Sequence, residues 1–106
     1  MSLVKSFTVS GVLDGKQNVV FGISASSVAG APPPTGPLVI TVRDDAAVGG
    51  SGVILARFII TPEGGDESVI FPAGVRCTNG VAITLTQPTG AGAIAHTDVV
   101  VVIDYS

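Results

Sequence analysis

Apolar and polar residues alternate along this chain in short runs broken by Gly and Pro. Residues two apart on a strand share a face, so such alternation marks a half-buried strand. In Val4–Leu13, Phe7, Val9 and Leu13 share one parity, and Ser6, Thr8 and Ser10 take the other. Asp14-Gly15 then reads as a turn. Gln17–Ser24 directs Val19, Phe21 and Ile23 inward, and Pro37–Asp44 directs Leu38, Ile40 and Val42 inward. Val81–Gln87 sets Val81, Ile83 and Leu85 against Thr84 and Thr86. Two shorter runs, Glu67–Phe71 and Gly74–Thr78, meet at a Pro72-Ala73-Gly74 corner.

Two runs carry apolar residues on both faces. Val53–Thr61 has Ile54, Phe58 and Ile60 on one parity and Val53, Leu55 and Ile59 on the other. Thr97–Tyr105 has Val99, Val101, Ile103 and Tyr105 on one side, with Val100 and Val102 between Asp98 and Asp104 on the other. A two-layer sandwich covers only one face of each sheet. The second faces of these strands therefore call for loop cover or a partner surface.

The connectors carry turn chemistry. Ala25–Gly36 contains Pro32–Pro34, which favours an extended path without ladder donors. Asp45–Gly52 reads as a flexible turn, Pro62–Asp66 as an acidic turn and Pro88–Ala95 as a Gly/Ala-rich loop. Asn79-Gly80 is a preferred two-residue hairpin pair. It predicts a type I′ turn joining Gly74–Thr78 to Val81–Gln87. With 14 Gly and 7 Pro interrupting the chain, no window supports a helix. The expectation is an all-β fold: a β-sandwich or jelly roll of about seven to eight short antiparallel strands, forming one domain over residues 1–106.

Composition narrows the function. Charged residues are 12% of the chain and hydrophobic residues 46%. Net charge is −3, and the five basic residues (Lys5, Lys16, Arg43, Arg57, Arg76) are scattered. Phosphate backbones need clustered cations, so nucleic acid is not an expected partner. The longest aliphatic run, Val99–Ile103, is strand-sized, so neither a membrane span nor a membrane partner is expected. The N-terminus lacks the apolar stretch of a secretory signal.

Candidate chemistry is sparse. Cys77 is the only cysteine and His96 the only histidine, with Asp98 two residues further on. A cysteine nucleophile needs such a base and orienting group, but no known local signature surrounds this one. The plainer reading makes Cys77 a small apolar residue in a strand. Asp44-Asp45 and Glu63/Asp66/Glu67 lack calcium-loop spacing and fit ordinary turn chemistry. The glycines Gly49-Gly50-Ser51-Gly52 and Gly64-Gly65 form no phosphate-binding motif. No cofactor, metal site or enzymatic activity is expected.

The second half resembles small all-β structural proteins of tailed bacteriophages. The resemblance rests on residues 52–86, GVILARFIITPEGGDESVIFPAGVRCTNGVAITLT, and on the closing VVVVIDYS. The matching positions are Leu55-Ala56-Arg57-Phe58, Phe71-Pro72-Ala73-Gly74-Val75-Arg76, Asn79-Gly80-Val81 and Val101–Tyr105. Cys77 stands where the family pattern has an aromatic, which implies a packing role. The resemblance implies a virion protein, foremost a capsid decoration (cement) protein bound to the major capsid protein and assembled as a homo-oligomer, with a trimer favoured. The alternative is a tail or fibre module that binds a receptor or glycan. The expected interface residues are Val53, Leu55, Ile59, Val100 and Val102.

Overall fold

The computed structural model describes residues 3–8, 10–13, 18–27, 38–60, 66–86 and 99–106. Asp14-Gly15, most of the Pro-rich loop, Glu63, His96 and Asp98 lie outside them. Eight strands follow one another: β1 (Leu3–Phe7), β2 (Gly11–Leu13), β3 (Asn18–Ser27), β4 (Leu38–Asp44), β5 (Val53–Ile60), β6 (Asp66–Cys77), β7 (Val81–Thr86) and β8 (Val99–Tyr105). No helix occurs among the described residues, so the all-β expectation holds.

Two four-stranded antiparallel sheets form, in the orders β1-β8-β3-β6 and β2-β7-β4-β5. The first strand pairs with the eighth, the second with the seventh, the third with the sixth and the fourth with the fifth. One long hairpin, closed at the β4–β5 turn, is in effect folded over into two layers. Pairings β3–β8 and β4–β7 then complete each sheet. This nested connectivity is that of a jelly roll.

The inner faces meet in one apolar core. Leu38, Ile40 and Val42 of β4, Val81, Ile83 and Leu85 of β7, and Val99, Val101 and Ile103 of β8 are all buried there, as their alternation predicts. Each such side chain contributes about 1.5–3 kcal/mol of burial. Val4–Leu13 is not one strand. Phe7 enters the core from the first sheet and Leu13 from the second. Between them, the Ser10 hydroxyl accepts a hydrogen bond from the Leu85 N–H at 2.9 Å.

Bulges overturn parity in two places. In β3 the register slips at Phe21, between Val20 and Gly22. Val20 and Ile23 therefore face the core, and Val19 and Phe21 are only half-buried. Opposite Phe21, β6 carries the Pro72–Gly74 corner as a wide bulge within a continuous strand. Gly74 has φ +78°, and a Cβ there would stand 2.5 Å from Val19 Cγ1, so the corner requires glycine. In β5 the register slips against Val42 and Arg43. Leu55 turns to pack against the core, and Ile54 turns out.

The expected type I′ hairpin at Asn79-Gly80 does not form. β6 belongs to the first sheet and β7 to the second. The segment is a crossover between layers, and Asp44 pins it. The Asp44 carboxylate accepts hydrogen bonds from the N–H of Asn79 at 2.9 Å and of Thr78 at 3.3 Å. Gly80 is buried with φ +133°. The Asp45–Gly52 turn is organised as well. Asp45 accepts from the N–H of Ala47 and Gly52, and Arg43 donates to the Gly52 carbonyl at 2.9 Å. The hydrogen bonds from Gly52 and then Ala47 hold the Asp45 carboxyl below the usual carboxylate range.

Candidate interaction surfaces

Cys77 lies within the core and is completely buried. Its thiol points at the Val75 carbonyl, 3.8 Å away. Burial first, and the nearby Asp44 charge second, push its pKa up to about 11. The thiolate needed for nucleophilic attack is therefore suppressed at neutral pH. The acidic pair is also committed locally: each oxygen of Asp44 and Asp45 accepts a backbone N–H. Among the described residues no three metal-ligating side chains come together.

The strands with two apolar faces separate into distinct surfaces. Val100 and Val102 face outward from the first sheet, on the side opposite the buried Val99, Val101 and Ile103. Ile59 faces outward from the second sheet, 51% exposed beside the buried Phe58 and Ile60. Val53, at the start of edge strand β5, is 72% exposed. Leu55 leaves this group because of the bulge. The five residues thus do not form one patch: Val100 and Val102 lie on one outer face of the sandwich, and Ile59 lies on the other.

The alternation pattern also left surface residues unassigned. Ile70, on edge strand β6, is 75% exposed. Its signal was visible, because Ile70 stands on the parity opposite Val69 and Phe71. Val4 on β1 is 65% exposed. The register places Val4, Asp104, Gly22 and Ile70 in one row across the first sheet, on its outer face. The next row is Ser6, Val102, Ser24 and Ser68. A groove of about 230 Å³ runs over the β8, β3 and β6 members of these two rows.

Comparison with protein-family models, with curated proteins and with solved structures finds no match.

Proposed function

We propose that this is a structural virion protein of a tailed bacteriophage, a capsid decoration (cement) protein that ties subunits of the head shell together. The observation that carries the reading is the distribution of apolar surface. Val100 and Val102 stand half-buried on one outer face, and the exposed Ile59 on the other, with the exposed Val53 at the adjoining edge. A cement protein has to hold at least two neighbours at once. Two opposed patches suit that task, whereas a single patch serves one partner. A standard interface takes about 800 Å² from each partner. The subunit surface is 5555 Å², so two such contacts occupy less than a third of it. Each contact adds association free energy between shell subunits without any chemistry.

The major capsid protein is the proposed partner. A homotrimer at a symmetry axis is the proposed working form, since closed cyclic symmetry lets one interface repeat three times. The jelly roll is compatible with this role and does not imply it. Quantitative mass spectrometry of purified particles tests the reading. Hundreds of copies per particle support a cement protein. A few to tens of copies place it in the tail, and absence from the particle overturns the proposal.

A further inference from the structure

The groove on the outer face of the first sheet has features that the fold itself does not need. Its floor is Gly22, in the middle of β3. Glycine in a strand interior is costly, at roughly 0.5–1 kcal/mol. Here the backbone does not demand it. Gly22 is not among the positive-φ glycines, although it adjoins the β3 bulge. A Cβ at Gly22 would meet Val69 O at 3.6 Å and Asp104 Cβ at 4.0 Å, ordinary van der Waals distances. What the missing side chain does is open the groove. A glycine of this kind marks a place where another group approaches the backbone closely.

Asp104 forms one side of the groove. Its Oδ1 is buried and has no hydrogen-bond partner among the described residues. A carboxylate oxygen in that position lacks the donors that ordinarily stabilise it. The Ser24 and Ser68 hydroxyls lie one row along, and Val102 and Ile70 supply apolar walls. Val4 and Ile70 flank the Asp104–Gly22 pair as strongly exposed apolar residues. The site thus combines a carboxylate oxygen that has no partner among the described residues with an aliphatic channel. At about 230 Å³ it is smaller than the roughly 300–1,000 Å³ of ordinary small-molecule pockets.

From these features we infer that the groove receives a single lysine or arginine side chain from a partner protein. The aliphatic stem lies across Gly22 between Val102 and Ile70, and the cationic head pairs with the Asp104 carboxylate. Long basic side chains divide their surface in this way, with apolar stem against apolar wall and charge at the tip. The inference goes beyond the virion reading and does not depend on it. Any partner with a protruding basic residue on an apolar surface meets the requirement.

The test uses isotope-labelled full-length protein and amide chemical shifts. The probes are Nα-acetyl-lysine methylamide and Nα-acetyl-arginine methylamide, with Nα-acetyl-norleucine methylamide as the uncharged control. Saturable shifts at Gly22, Ile70 and Asp104 are expected with at least one cationic probe. Binding should weaken about tenfold with norleucine, and equally in Asp104→Asn, as loss of one charge-assisted hydrogen bond predicts. Gly22→Val fills the floor while leaving Asp104 in place, and should abolish the shifts. An unchanged amide spectrum away from the groove shows that each variant is folded. Absence of saturable shifts with both cationic probes overturns the inference. So does equal binding of norleucine, or full binding by folded Asp104→Asn.

Discussion

The carboxylate of Asp44, the last residue of β4, accepts the backbone N–H of Asn79 at 2.9 Å across 35 residues of sequence. A second bond, from the Thr78 N–H, reaches the other oxygen. One side chain therefore fixes the path by which the chain leaves the first sheet and enters the second. Asp44→Ala should destabilise the fold by about 1–2 kcal/mol, as loss of charge-accepting backbone hydrogen bonds does at helix caps. Asp44→Asn, which keeps one acceptor, should cost less. Thermal unfolding checks both, and an Asp44→Ala variant melting with the parent would show that the crossover holds itself.

Cys77 gives a prediction with a defined pH window. Its thiol pKa is raised from 9.0 to about 11 in the folded protein. Between these values the folded state retains a proton that the unfolded state has lost. Stability from this group is full below about pH 9 and is lost as pH rises through about 11. The two-unit gap corresponds to about 3 kcal/mol. Urea unfolding of the parent should show this decline, and Cys77→Ala should show a flatter profile over the same range. The native thiol should also resist alkylation at pH 7. Rapid stoichiometric labelling of folded protein would contradict the burial.

Gly74 and Gly80 should both be intolerant. Each has positive φ, and a Cβ at Gly74 also strikes Val19. Gly74→Ala should cost about 1–3 kcal/mol, with Gly80→Val comparable or worse because the site is buried. Gly22→Ala should be neutral or stabilising by up to about 1 kcal/mol, since its backbone is ordinary. Chemical denaturation of the three variants distinguishes strained glycines from an unstrained one.

The two outer faces can be disabled separately. Val100→Lys with Val102→Lys places charges on the first sheet, and Val53→Lys with Ile59→Lys places them on the second sheet and its edge. Each pair should weaken assembly or shell binding at least tenfold while the subunit melts within a few degrees of the parent. Light scattering of the parent protein comes first. A clean monomer at high concentration that also fails to bind particles would remove the basis for both pairs.

The alternation of β4, β7 and β8 determined which of their residues enter the core, although Val39 of β4 and Ala82 of β7 are buried on the opposite parity as well. It also determined the all-β class, while the lack of a nucleophile signature around Cys77 pointed to the buried place that the structure gives it. Three matters were decided only by tertiary structure. The bulges at Phe21 and Leu55 reversed parity, so Val20 replaced its neighbours in the core and Leu55 left the surface. An extra residue in one strand depends on what the opposing strand presents, and that partner is remote in sequence. Asn79-Gly80 has the letters of a local hairpin, yet its flanking strands joined different sheets. Local turn preference is worth little against the burial that Cys77 and Val81 gain in separate layers. The groove at Gly22 and Asp104 was invisible for the same reason. It exists only because register brings β8, β3 and β6 side by side, aligning residues remote in sequence in one row.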